Sequence, residues 1–543
     1  MTGKCASVAD FGAKGDGVTD DRPYLQAAID ACKARGINRL FVPCGIYLIS
    51  RTVSEGIGVG LDLSDVHGLT IVGEGPDASV LKMTKTFDKG WRLIRPRDAS
   101  EVVFRDLTLD GNWSGETGFA EHIHLTEVTS QKTDTSDVYF DNVWFRNCCG
   151  DGFRTIGNTS GLFVRRSHAR NCRFLNVKRA PVSGQRGSID CSVTHCYIES
   201  VTDSAVDFEP SALGPPSDTP DPSPTRWDIS HNTIVHNPSA GAGFAVSLVG
   251  LRSPGMEDTG FCFNKVIGGS VQIRNCRGIK VIGNSVVSRT TGPKRQTPTL
   301  QITLSTDVHI AGNTFTRPRG AAAGNVLLVG TDASAGNDGV LITGNCLHQY
   351  TEADIVQIAS ARNVVATANT LRYYGAAVGE HRGFFGTTTV PGVPLSNVKF
   401  TDNDVVGDAG GGSLARGVFV NSRESQVGPV DVRGNGGSGM VIGAEFRGGV
   451  DAPGFTAQPI CHGNTWLLSD VAYAGAFGQC PGLEAIIVAT SGKRVTYEGV
   501  GAPENNVTGN VGDEFHQTDG VAGTLRHVKE TGAGTTAGWV AVR

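Results

Sequence analysis

The sequence predicts an all-β chain, a right-handed parallel β-helix with a capping helix in front and a small β module behind. Two observations carry this expectation. The first is composition: 73 glycines and only 4 methionines in 543 residues, with frequent Val, Ile, Thr and Asn, suit short strands separated by turns rather than a helical bundle. The second is a recurring unit, an apolar alternation broken by asparagine and then resumed, as in ISHNTI, FCFNKV, VIGNSV, HIAGNTF, LITGNCL, ATANTL and KFTDNDV. The asparagines are Asn232, Asn264, Asn284, Asn313, Asn345, Asn369, Asn403 and Asn435, at intervals of 32, 20, 29, 32, 24, 34 and 32 residues, each suiting one coil of a solenoid. Asn tolerates the left-handed backbone and bonds to its neighbours, so the tight bend between two strands of a coil is its expected place. Propeller blades need four strands per longer unit, and helical repeats need a 3.6-residue period that is absent here.

The elements follow in order. Ser7 to Asp21, SVADFGAKGDGVTDD, is dense in Gly and Asp and precedes a helical spacing of Leu25, Ala28, Ile29 and Cys32. That helix is expected to cap an open sheet end, so residues 1–40 form an opening motif with its cap. In Arg39 to Ile49, two apolar strands flank Pro43-Cys44-Gly45. Val102–Leu109 and Val138–Phe145 carry the same alternation as the later repeats, placing the β-helix at 41–475. The insert from Ser211 to Thr225 holds prolines at 215, 216, 220, 222 and 224 and is not a central strand. After about residue 480 the pattern changes, and 476–543 is read as a separate β module ending Gly538-Trp539-Val540-Ala541-Val542.

Charge and cysteine usage narrow the function. With 48 basic and 53 acidic residues the net charge is −5, which gives no bulk attraction to nucleic acid or to an anionic membrane. Thirteen scattered cysteines lack metal-ligand spacing and read as buried apolar residues of a chain folded under reducing conditions. No metal and no cofactor is expected. No apolar segment follows Lys4, so the expectation is synthesis in a cytoplasm without a cleaved signal peptide, and no later run is long enough to insert in a bilayer. Gly15-Asp16-Gly17 lacks the Lys-Ser/Thr of a phosphate loop.

The candidate chemistry lies in Val206-Asp207-Phe208-Glu209. Strand alternation buries Val206 and Phe208 and presents Asp207 and Glu209 on one surface, with Cα atoms about 6.5–7 Å apart. Side-chain rotation brings such a pair into the roughly 5–9.5 Å range used in glycosidic hydrolysis, one carboxyl acting as acid and the other as base or nucleophile. Asp203 and Asp151 are further acidic candidates. Coil stacking is expected to set Asp151 and Asp203 about 10 Å apart with Arg179 between them. Lys178, Gln185, Arg186, His122 and His124 extend the expected groove as sugar-binding groups, and Trp113 is a candidate ring-stacking residue.

SVADFGAKGDGVTDD, the helix and LFVPCGIYLIS together resemble the opening motif of the pectate-lyase-like β-helix superfamily, which includes phage tailspike depolymerases, polysaccharide lyases and glycan hydrolases. DSAVDFEP, from Asp203 to Pro210, is similar to an acidic strand of such proteins. Gly501–Glu504, Val511–Asp513, Thr518–Gly520, Val528–Gly532 and Gly538–Val540 resemble a module that closes many phage tail fibres, although Glu514-Phe515-His516 departs from it. The resemblance implies a homotrimeric tailspike on a virion, attached through another tail protein, that binds and hydrolyses a bacterial surface polysaccharide (capsule or O-antigen). The rivals are a lyase acting by β-elimination, kept open by Lys178, Arg179 and Arg186, and a non-catalytic receptor-binding fibre.

Overall fold

A computed structural model describes residues 4–542 except 55, 86–89, 116–122, 159–160, 201–203, 209–222, 238–243, 251–254, 290–296, 331–335, 376–380, 408–413, 449–454, 458, 463, 468–470, 478–484, 491–495, 500–513, 518–524 and 532–536. It holds two compact units, residues 1–286 and 287–543. Both are β-helical, built from short strands paired in parallel, coil upon coil.

The single α-helix among the described residues, Arg22–Arg35, follows from its sequence. Pro23 starts it, Gly36 ends it in the left-handed conformation (φ 64°), and Leu25, Ala28, Ile29 and Cys32 form its buried face, as their spacing predicts. Asp21 lies at its N-terminus but caps the preceding loop instead, accepting the N–H groups of Lys14 (2.6 Å) and Gly15 (2.9 Å). The helix closes the first coil in the expected way. Gln26 donates to the Asp62 carbonyl (3.0 Å) and accepts the Asp62 N–H (2.9 Å), and Arg22 and Lys33 bond the carbonyls of Gly60 and Ser64. These groups belong to strand Ile57–Ser64, whose peptide groups a further coil would otherwise bond. At the Pro43-Cys44-Gly45 turn a Cβ on Gly45 would lie 2.7 Å from the Gly15 carbonyl oxygen, so only glycine fits.

In the first unit, strands His67–Gly73, Ser100–Asp110 and Thr135–Cys148 align Leu69, Val102 and Val138 in one column and Ile71, Phe104 and Phe140 in the next. Parallel stacking sets equivalent side chains about 4.8 Å apart, which is van der Waals distance for flat rings. Phe104 therefore stacks on Phe140 (4.9 Å, 6° between planes) and Phe145 on Phe174 (4.6 Å, 8°). In the second unit the same rule aligns Val340, Val364, Val398 and Val430, and Ile342, Ala366, Phe400 and Val432. Beyond Val471–Phe477 the pairing becomes mostly antiparallel, through Ala485–Thr490 and Thr496–Gly499, and again through Glu514–Gln517, Leu525–Lys529 and Trp539–Val542.

The repeated asparagines mark the coil bends, but their role differs from the one expected. The left-handed residue is the one before each of them: His231 (φ 59°), Phe263 (56°) and Gly283 (67°) in the first unit, and Gly312, Gly344, Ala368, Asp402 and Gly434 in the second. The asparagine turns inward and is buried. Asn264 Oδ1 accepts the backbone and side-chain N–H groups of Asn232 (both 3.0 Å), while Asn264 Nδ2 donates to the Ile229 carbonyl (2.8 Å) and to Asn284 Oδ1 (3.1 Å). The same ladder links Asn313, Asn345, Asn369, Asn403, Asn435 and Asn464 in the second unit. A bend exposes peptide groups to the core, and the amide supplies both the donor and the acceptor they need. Cys196 and Cys172 occupy the equivalent position in two earlier coils: Cys196 N–H donates to Asn232 Oδ1 (2.9 Å), and Cys172 N–H to Cys196 Sγ (3.4 Å). Among the described residues every cysteine is a free thiol.

Asn264→Ala removes the acceptor for two buried N–H groups of Asn232 and is expected to cost about 2 kcal/mol, read as a lower denaturant midpoint at unchanged slope.

Candidate functional site

One sheet of the first unit carries His124 and Asp207, two of the sequence-predicted residues. Its strands include Trp91–Arg97, Ile123–Thr126, Phe153–Ile156, Val182–Gly184, Val206–Phe208 and Phe244–Val249. Register fixes who faces whom. Phe153, Val182, Val206 and Val246 form an inward column, all fully buried, while Arg154, Ser183, Asp207 and Ser247 form the adjacent outward one. Asp207 is half-buried between Val206 and Phe208, which are wholly enclosed. Asp203, Glu209 and His122 lie outside the described residues.

Two coils before Asp207 is a buried ionic cluster. Asp151 has no exposed surface and accepts from Arg179 Nη1 (3.1 and 3.0 Å) and from Arg154 Nη1 (3.2 Å). His124, also fully buried, sits with Nδ1 3.4 Å from the Asp151 carboxylate and 3.0 Å from the Asp151 backbone N–H. Its Nε2 lies 3.0 Å from Arg154 Nη1. A neutral imidazole has one acceptor nitrogen, so only one of these two N–H groups is satisfied in a given tautomer. Beside them Glu127 accepts from Arg92 Nε at 2.9 Å and lies 3.5 Å from Arg154 Nε. Burial pushes the Glu127 carboxyl up, but Arg92, Arg154 and Arg95 outweigh it and hold the group below the ordinary carboxylate range. Arg95, in register with Asp62, pairs with it at 3.2 Å.

This geometry revises several expectations. Asp151 and His124 are sealed, so in this structure neither touches a polymer, and their place is to fix Arg154 and Arg179. Gln185 (3% exposed) and Arg186 (7%) are likewise covered, and Gln185 Nε2 donates to Ser183 Oγ at 3.2 Å. Trp113 is 8% exposed, the burial of a covering residue rather than an open stacking face. Lys178 and Arg179 are half-buried. Arg179 does meet Asp151 as stacking predicts. Sequence reasoning missed Arg92, Glu127 and the part played by Arg154. Their signal was charge inside buried runs, WRLIRPR and IHLTEVT, whose neighbours Trp91, Leu93, Ile94, Ile123, Leu125 and Val128 are core. Among the described residues no group of three or more His, Cys, Asp or Glu is placed to hold a metal ion, and no helix is long and apolar enough to cross a membrane.

Residues 5–142 match the family described as rhamnogalacturonase A/epimerase, pectate lyase-like. This part of the chain resembles that family. Stretches of the chain are also similar to curated enzymes of Azotobacter vinelandii: 36% identical over 166 residues to a mannuronan C5-epimerase (AlgE3) and 31% over 169 residues to alginate lyase 7. Each match covers 30% of this chain, but only 9% and 19% of the relatives' own lengths. A solved tailspike protein 3 of bacteriophage CBA120 aligns with 99% of this chain and 68% of its own, at 12% identity and a TM-score of 0.45. The matched region contains His124 and Glu127, and the sheet it begins continues through Phe153–Ile156 and Val206–Phe208 within the first unit.

Asp151→Asn leaves Arg154 and Arg179 facing a neutral partner in a buried site and is expected to cost about 3–5 kcal/mol, measured by chemical unfolding. Acid should weaken the cluster as well. Because the Glu127 carboxyl is depressed in the folded state, its contribution is complete above the ordinary Glu range and is lost as pH falls through the lower folded value. Stability against pH in Glu127→Gln should therefore be flatter on the acid side.

Proposed function

We propose that this chain is a polysaccharide-modifying enzyme whose reaction takes place at Asp207, the half-buried carboxylate of the column Arg154, Ser183, Asp207 and Ser247, which acts as the proton-transferring group. The observation that carries this is the half-buried Asp207 in a column that leads, two coils away, to arginines locked by Asp151. Arg154 and Arg179, held by Asp151 two coils from Asp207, are the cationic groups open to a substrate that bears its own carboxylate. Positive charge stabilises the anion that forms when a base removes the proton next to that group, and here the arginines cannot swing away. β-Elimination on a uronate-containing polymer is the reaction these groups support best, in line with the uronan-acting names among the relatives.

Hydrolysis is the second reading. It rests on Glu209, two residues beyond Asp207, as the other member of an acid and base pair. The same face then cleaves a glycosidic bond without forming a double bond. In either chemistry the setting we propose is a phage tail protein acting on a bacterial surface polysaccharide as a homotrimer. The tail-fibre-like segment from Gly501 supports that setting, and light scattering of the purified protein at three times the chain mass is the expected result.

Incubation with capsular, O-antigen and uronan polysaccharides followed by size-exclusion chromatography tests the function. Wild type should shorten at least one polymer, and Asp207→Asn should slow this by about 10²–10⁴-fold. Products absorbing in the ultraviolet indicate elimination. Non-absorbing products, with a comparable loss in Glu209→Gln, indicate hydrolysis. Undiminished cleavage by Asp207→Asn would remove Asp207 from the site, and binding without shortening would leave a receptor-binding fibre.

A further inference from the structure

A second face of the first unit has the shape and chemistry of a ligand site. Strands Ser100–Asp110, Thr135–Cys148, His168–Arg170 and Ser192–Thr194 set two outward columns side by side: Val103, Tyr139, His168 and Ser192 in one, Arg105, Asp141, Arg170 and Thr194 in the other. Between them lies a groove of about 350 Å³, in the size range of small-ligand sites. It is formed on a different sheet from the one that carries Asp207.

The first column is an aromatic floor. Tyr139 stacks on His168 with ring centroids 4.9 Å apart and 30° between planes, and Tyr139 remains 38% exposed. His168 Nδ1 lies 2.7 Å from Ser192 Oγ, which fixes the ring, and burial holds the imidazole below its ordinary pKa despite nearby Asp137. The floor is thus largely uncharged at neutral pH. The second column is cationic. Asp141 pairs with Arg105 at 3.1 Å and accepts from Asn171 at 3.1 Å, whereas the guanidinium of Arg170 is exposed and makes no ion pair or hydrogen bond among the described residues. Two arginines against one carboxylate leave a positive rim whose planar donors suit a carboxylate.

We propose that this groove binds a uronate-bearing stretch of glycan, a sugar ring lying on Tyr139 and its carboxylate meeting Arg170. The proposal builds on the polysaccharide reading above but uses none of the residues assigned to the reaction. A pyranose ring has an apolar C–H face that packs on an aromatic, and its edge carries hydroxyls within the reach of Ser192 and Thr194. A neutral peptide would use the aromatic and ignore the arginine. A polymer anchored here is held to the protein while another stretch of it is processed at the Asp207 face.

Titration calorimetry with short oligomannuronate and oligogalacturonate, and a neutral malto-oligosaccharide as control, tests this in the Asp207→Asn background, where turnover does not consume the probe. Arg170→Ala and Tyr139→Ala should each weaken binding of an acidic probe about tenfold, Tyr139→Phe should retain it, and the neutral probe should bind weakly throughout. Equal acidic-probe affinity in all variants, or no binding of either acidic probe, overturns the proposal. Polymer shortening by otherwise wild-type Arg170→Ala and Tyr139→Ala separates the two claims. Unchanged affinity with shortening intact removes only the groove, while groove-dependent binding without any shortening by wild type removes only the enzymatic reading.

Discussion

In-register stacking of parallel strands governs both units. Each coil bonds to the next over its length, so every side chain has a neighbour of the same orientation about 4.8 Å before and after it. Inside, that rule is satisfied by rings on rings and aliphatics on aliphatics, with the asparagine amides absorbing the peptide groups stranded at the bends. Outside, it means that charges come in columns. Like charges at that spacing repel, so a charge is stabilised where the neighbouring coil supplies its opposite. Arg166 with Asp137 (2.7 Å), Arg226 with Asp190 (2.6 Å) and Arg95 with Asp62 (3.2 Å) are all ion pairs between successive coils.

The buried cluster around Asp151 is the same pattern carried into a place water does not reach. Surface pairs of this kind contribute little, but a buried carboxylate with two arginines is a fixed electrostatic frame, because moving any member strands the others. Under the proposed function the reaction depends on Asp207, which stays half-open where Asp151 is sealed. Asp207 is presented by a strand whose neighbouring residues are locked in the core, so it is held at a set height above the coils leading back to Arg154.

Period and repeat made much of this legible in the sequence. The buried positions of the helix, the parallel coils, and the outward Asp207 between inward Val206 and Phe208 all follow from spacing alone. The asparagine repeat was legible as a bend, yet the backbone strain falls on His231 and Phe263 rather than on the asparagines that follow them, because the inward amide is worth more than a relaxed φ. The partners of Arg92, Glu127 and Arg154 were not legible. They depend on which residues of successive coils share a column, and with intervals between 20 and 34 residues that register is set by insert length rather than by local pattern. Burial of His124, Gln185 and Trp113 was hidden for the same reason, since outward on a strand is not the same as exposed.

The most direct test of the proposed reaction face is a crystal structure of Asp207→Asn soaked with an oligosaccharide that the wild-type protein shortens. The account predicts a sugar over position 207, with the scissile linkage within hydrogen-bond reach of the side chain there. A well-ordered scissile linkage on any other face, with this column bare, would contradict it.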